Sequence, residues 1–300
     1  AGLAAVRTKT GHELRSVDLG RPAAVIPNAA IHLNREVNKG FEYNKQTHLQ
    51  ALLTAPAGSA NPLLAAVAGA LKVKPEQLGQ LELFLYDRAK AALAGLDGKL
   101  VVSGRLDNLG MSHAILSSIR RVEKPRATCL AVLYDHEEIG SQTAQGAYSS
   151  LLAEILERVG LALGLSREEQ FIARRKSFLI SGDMAHAYHP SYPEKYEPSS
   201  APVMNGGPAI KWHAGYSYAS TVDSSQRFAS LCEQAQVKPQ KFVMRSDLIC
   251  GHTVGPIVAA QLGIPVVDVG NPLWAMHSVR ETAGVDDHLA MIRVLDIYYQ

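Results

Sequence analysis

Four stretches of the 300-residue chain set acids or imidazoles directly behind short apolar runs. Residues 100–103 lead into Gly104-Arg105-Leu106-Asp107-Asn108, and residues 127–134 lead into Asp135-His136-Glu137-Glu138. Residues 178–180 lead into Ser181-Gly182-Asp183-Met184-Ala185-His186. Residues 266–269 lead through Gly270-Asn271-Pro272 to Ala275-Met276-His277-Ser278. Each stretch alone has an ordinary explanation: an Asp behind a strand caps a helix, paired glutamates form a solvated turn, and a single His is structural. Glu137-Glu138, however, follows a run apolar enough for the core, and a buried carboxylate needs a partner such as a metal ion. Two divalent cations a few ångströms apart need one carboxylate between them and further ligands on each. Asp107 can bridge, Glu138 can ligate while Glu137 faces the attacking water as a general base, and Asp183 and His277 can complete the set. Cations held this way lower the pKa of water and polarise a scissile carbonyl.

Ligand sites of open α/β sheets gather beyond the carboxyl ends of strands, so the four stretches are expected at one end of one sheet. The pattern beyond Ala89 agrees. Strand-like runs at 100–103, 127–134, 177–180, 242–244 and 266–269 alternate with helical runs at 112–121, 147–163, 224–236, 255–262 and 285–299. Gly164 is a natural stop for the second of those helices. This alternation predicts a three-layer α/β domain with a mixed sheet over residues 91–300. Residues 1–90 read as a separate β-rich domain, with strands at 3–6, 13–19 and 81–86 and a helix over 63–71 begun by Asn61-Pro62. Residues 54–60 read as a loop.

Composition narrows the function classes. Thirty basic residues against 28 acidic ones give a net charge of +2 with no long basic run, so a nucleic-acid partner is not expected. Arg174-Arg175-Lys176 reads as a solvated helix end. No stretch is long and apolar enough to span a membrane, and no signal peptide opens the chain. Three distant cysteines form no CxxC, so a reduced, cytoplasmic setting is expected and neither a disulfide framework nor a zinc knuckle. Eleven histidines favour a metal held by nitrogen and oxygen. The chain opens on Ala1-Gly2-Leu3 rather than Met, which suggests preceding sequence.

The motifs Ser103-Gly104-Arg105-Leu106-Asp107-Asn108, Asp135-His136-Glu137-Glu138, Asp183-Met184-Ala185-His186-Ala187 with His189-Pro190, and Met276-His277-Ser278 resemble those of the aspartyl aminopeptidase family of metallopeptidases. Ile26-Pro27-Asn28, Ile31-His32-Leu33-Asn34-Arg35, Asn205-Gly206-Gly207-Pro208, Met244-Arg245-Ser246-Asp247 and Gly255-Pro256-Ile257 match in family order, so the resemblance covers nearly the whole chain.

The resemblance implies a zinc aminopeptidase with two divalent ions per subunit. Asp107 is implied as the bridging ligand, Glu138, Asp183 and His277 as terminal ligands, and Glu137 as the general base. His32 is similar to a histidine that a neighbouring subunit inserts into the active site. His186 and Lys211 are similar to residues lining the pocket for the substrate's first side chain, where a lysine suits Asp or Glu. Without the resemblance, Lys211 reads as a surface lysine at a strand end and His32 as a half-buried strand residue. Residues 1–90 correspond to most of an inserted dimerisation domain, and the family assembles into a dodecamer that admits peptides. A further ligand histidine, in a His-Thr-Asp motif, is missing from this sequence, where His252-Thr253 is followed by Val254. Two other readings remain: a dinuclear carboxypeptidase or deacylase, and an inactive shell or cargo subunit.

Overall fold

The computed structural model describes residues 1–54 and 61–300, so the loop expected over 54–60 lies, Thr54 apart, outside the described residues. The chain divides into two compact units, Ala1–Arg88 and Ala89–Gln300.

In the first unit, β1 (Gly2–Thr8) and β2 (Gly11–Val17) form an antiparallel hairpin, and β3 (Leu78–Leu83) pairs with the free side of β1. A one-turn helix, α1 (Lys45–His48), and a ten-residue helix, α2 (Pro62–Leu71), lie between β2 and β3 in sequence. The side-chain alternation of β1 turns Ala4 and Val6 inward, where they meet Val17, Leu78 and, from α2, Val67 and Ala68. Burying such a valine fully is worth about 1.5–3 kcal/mol. Helix α2 starts where the Asn61 side chain accepts from the Leu63 and Leu64 amides, with Pro62 at the first position, and ends at a left-handed Lys72. The strand expected over 81–86 begins earlier and stops at Leu83, with Phe84 still exchanging hydrogen bonds with Ala1. His32 lies on an exposed turn rather than in a half-buried strand.

The second unit carries two mixed sheets. Its strands are β4 (Ala92–Ala94), β5 (Leu100–Ser103), β6 (Leu179–Gly182), β7 (Ala185–His186), β8 (Ala209–Trp212), β9 (Gln240–Val243), β10 (Val266–Gly270), β11 (Pro272–Trp274) and β12 (Glu281–Gly284). One sheet runs β6-β10-β8-β9 and the other β4-β5-β12-β11-β7. The helices are α3 (Leu106–Ile119), α4 (Leu151–Ala162), α5 (Arg167–Lys176), α6 (Val222–Gln234), α7 (Val254–Leu262) and α8 (Val285–Tyr299). Met111, Phe228, Val267, Val269, Leu273, Met291 and Leu295 join α3, α6 and α8 to the strands in one core. Leu152, Val258, Leu262 and Ile264 join α4 and α7 to Leu179 of β6 in another. Strand alternation sends Val267 and Val269 to the first core and leaves Asp268 on the opposite face, beside the start of α7. This is the expected three-layer mixed α/β architecture.

Three expectations need correction. The single sheet is two, because the chain breaks stride between β6 and β7 and again between β10 and β11. Pairing continues across the break: the Asp183 amide donates to Val269 O and the Ala185 amide to Asn271 O. The approach is so close that a Cβ on Gly270 would stand 1.8 Å from Asp183 O, so only glycine fits there. Second, residues 127–134 form no strand among the described residues; Leu130 and Leu133 are 43% and 50% exposed. An apolar run supplies one side of a ladder only, and no described strand supplies the other. Third, the strand expected at 177–180 begins at Leu179, because Ser177 still caps α5. Helix α5 was not anticipated, although Arg174-Arg175-Lys176 forms its last turn, where basic groups complement the helix dipole. No described helix is long and apolar enough to cross a membrane.

Candidate metal centre

Helix α3 opens with a left-handed Arg105 (φ 58°), which turns the chain sharply off β5 and sets Asp107 at the strand's end. Asn108 fixes the register by donating from Nδ2 to Gly182 O (2.8 Å), at the end of β6. The Glu137-Glu138 turn is a short 3-10 helix entered through a left-handed His136 (φ 61°). His277 is itself left-handed (φ 66°). Left-handed backbone at non-glycine residues costs roughly 1 kcal/mol or more each, and such strain concentrates at functional sites.

These turns converge. His277 Nε2 lies 3.2 Å from Asp107 Oδ2 and 3.1 Å from Glu138 Oε2. One ligand atom from each of Asp107, Glu138 and His277 falls within 4.8 Å of the others. Two ligands on a tetrahedral zinc stand about 3.3 Å apart, so the spacing fits the edges of a coordination shell. Asp183, at the break between β6 and β7, is near enough for its charge to act on Asp107. Its Oδ2 accepts from Lys211 Nζ at 2.7 Å. Lys211 is only 3% exposed, so it is not the surface lysine its position in sequence suggests.

The electrostatics call for positive charge. Burial, then the charges of Asp183 and Glu138, push the Asp107 carboxyl far above the usual carboxylate range. Burial, with the same two kinds of neighbour, lifts Glu137 to about 7. Asp107 Oδ1 is buried with no hydrogen-bond partner. A crowded, partly orphaned set of two carboxylates and an imidazole is the donor chemistry of zinc, and the residues fit that ion. Burial pulls the His186 imidazole below its ordinary pKa, with Lys211 adding to the effect, which favours the neutral ring. His186 also lines a cavity of about 180 Å³ with Phe242, Met244, Arg245 and Leu248. A second cavity, about 250 Å³, is lined by Trp212, His213, Tyr216 and Val243 and holds none of the expected site residues.

Sequence reasoning missed Glu281. This carboxylate is 1% exposed. Its Oε2 accepts from the Asp107 amide (3.0 Å) and its Oε1 from the His277 amide (2.7 Å). One buried side chain thus ties the backbones of two candidate ligands together. The signal was a carboxylate inside a short strand four residues after His277. Among the predicted site residues, Asp107, Glu137, Glu138, Asp183, His186, Lys211 and His277 all lie in the second unit, whereas His32 lies in the first.

A family model described as aminopeptidase I zinc metalloprotease (M18) matches residues 1–299. A curated relative from Clostridium novyi (strain NT), named "Probable M18 family aminopeptidase 2", is 43% identical over 290 residues, covering 96% of this chain and 67% of its own length. A chain in a solved complex of Ape4 and Nbr1 superposes with a TM-score of 0.91 at 33% identity, covering 99% of this chain and 62% of that one. The S. cerevisiae mApe1 dodecamer superposes at 0.81 with 24% identity, over 99% of this chain and 67% of that one, a likeness of fold. The chain spans about two thirds of the length of these proteins.

Proposed function

Because the chain belongs to the aminopeptidase I zinc metalloprotease (M18) family, we propose that it is the greater part of a dinuclear zinc aminopeptidase that removes an acidic residue, Asp or Glu, from peptide N-termini. The observation that carries this reading is the meeting of Asp107, Glu138 and His277 around an orphaned buried carboxylate oxygen. In this reading Asp107 would be the carboxylate shared by two ions, and Glu138, Asp183 and His277 would each hold one or other of them. When bound, the zinc supplies the Lewis acidity that polarises the scissile carbonyl and acidifies water.

The remaining work falls to the chain's own residues. Glu137, lifted to about 7, can take a proton from the attacking water and pass it to the leaving amine near neutrality. His186 and Lys211 flank the position of the first side chain, where an ammonium in a desolvated setting favours a carboxylate over a neutral group. His32, on an exposed turn, is available to a neighbouring subunit's site, and self-association is part of the proposal. The dodecameric neighbour supports it at the level of fold. A cytoplasmic setting is proposed from the cysteine usage.

The test joins metal content to a substrate panel. Elemental analysis of the full-length protein is expected to find zinc, with up to two ions per chain. Aminoacyl substrates with Asp or Glu first are expected to be cleaved faster than neutral ones, and N-acylated ones not at all. Absence of bound metal would favour the inactive shell subunit, and cleavage of N-acylated compounds alone would assign a deacylase.

A further inference from the structure

Lys211 is the buried cation of the acidic cluster. Its ammonium sits 2.7 Å from Asp183 Oδ2, with the lysine side chain 3% and the aspartate 22% exposed. The same charge lowers the proton affinity of Asp107, Glu137 and Asp268, so it acts on three carboxylates at once. The face of the Tyr218 ring, 5.4 Å from Nζ, flanks it. Its strand, β8, pairs with β10.

We infer that Lys211 is an exchangeable counter-ion which competes with a metal cation for Asp183. The inference rests on the zinc reading above and deepens it. The reason is geometric. A carboxylate oxygen that accepts a full ammonium at 2.7 Å cannot also give its electron density undiminished to a dication. A dication beside an ammonium also meets like-charge repulsion in a partly desolvated pocket. On this inference, metal loading weakens or displaces the Lys211–Asp183 pair rather than leaving it intact. The displaced ammonium then becomes the group that faces an acidic substrate side chain. Metal occupancy and acidic-residue preference are in this way coupled through one lysine, which sets the metal affinity below what the carboxylates alone would give.

The experiment is a zinc titration of the full-length protein, read by competition with a chromophoric chelator, on wild type, Lys211→Met and Lys211→Arg. Lys211→Met keeps the length of the side chain and removes the charge. It is expected to bind zinc about tenfold or more tightly at its weaker site. It should also unfold at lower temperature in chelator and gain more from added zinc than wild type. Lys211→Arg keeps the competing charge and should stay within about threefold of wild type. Unchanged or weaker zinc binding in Lys211→Met, or equal tightening in both variants, would overturn the inference. A wild type that binds no zinc would instead remove the metalloenzyme reading itself. If Lys211→Met fails to fold, Lys211→Gln replaces it in the same titration, with the same expected tightening and the same overturning result.

Discussion

Two sets of buried acids lie in the second unit, and they are treated in opposite ways. Asp268 is fully buried, yet its oxygens take the Thr253 hydroxyl (2.8 Å) and the Ala219 amide (2.5 Å). Asp287, also fully buried, takes the amides of Gly207 (2.7 Å) and Asn205 (2.6 Å). Each is surrounded by donors and braces loops against the sheet. Asp107 has one oxygen with no partner and two acids for neighbours. Burial raises the proton affinity of all three. What separates them is satisfaction: a buried acid ringed by N–H and O–H groups is scaffold, while a buried acid ringed by other acids is waiting for a cation. Glu281 belongs to the first kind but serves the second, because its donors are the amides of two candidate ligands.

The sharpest way to break this division is to change an acid of the cluster without changing its shape. Glu137→Gln should lower kcat for acidic N-terminal substrates about 10²- to 10⁴-fold, the usual contribution of a general base, while zinc content stays at the wild-type level. Steady-state kinetics beside elemental analysis would decide it; near-wild-type turnover would strip Glu137 of that role. On the scaffold side, Asp268→Ala leaves a buried hydroxyl and a buried amide without acceptors. It should cost about 3 kcal/mol in denaturant unfolding and leave zinc stoichiometry alone. If zinc is lost while stability holds, Asp268 belongs with the ligands and the division fails.

Glu281→Gln tests the residue that joins the two kinds. The amide can still accept from one backbone N–H but turns a donor toward the other. Loss of such an outer partner typically costs 10- to 100-fold in metal affinity. Competition with a chelator should show this range, with a smaller change in thermal stability. An affinity equal to wild type would reduce Glu281 to a brace.

The sequence made parts of this arrangement legible for a physical reason. Period-two and period-3.6 patterns report which face of an element meets the core, and so β1, β5, β10, α7 and α8 fall where those patterns put them. The acids behind β5 and β6 and the imidazole beyond β10 could be picked out because a polar residue after an apolar run is conspicuous. Two things are invisible to such patterns. Residues 127–134 have the composition of a core strand, but composition says nothing about which neighbour completes a ladder. Glu281 and Lys211 act through contacts between residues far apart in the chain, Glu281 with Asp107 and Lys211 with Asp183, and no local spacing encodes such a contact. Lys211 looked like a surface lysine because the acid that draws it inward is 28 positions away.

The smallest expected effect is also the one that opposes intuition. Asp107→Asn removes a candidate bridging ligand, and a mutation in the core of a site ordinarily destabilises. Yet Asp107 accepts no donor at Oδ1 and faces the charges of Asp183 and Glu138. Without metal the Asp107 carboxyl holds its proton near neutrality at a cost in stability, and a neutral isostere removes the cost while keeping the shape. In the presence of chelator, Asp107→Asn should therefore be more stable than wild type by on the order of 1 kcal/mol, seen as a higher midpoint in thermal or urea unfolding. Adding zinc should reverse the order, because wild type gains binding energy that the variant cannot. The parallel change Asp287→Asn should show no such reversal, since its two donors are amides rather than a metal. If both variants respond to zinc alike, satisfaction by donors does not distinguish scaffold acids from cation-holding ones in this fold.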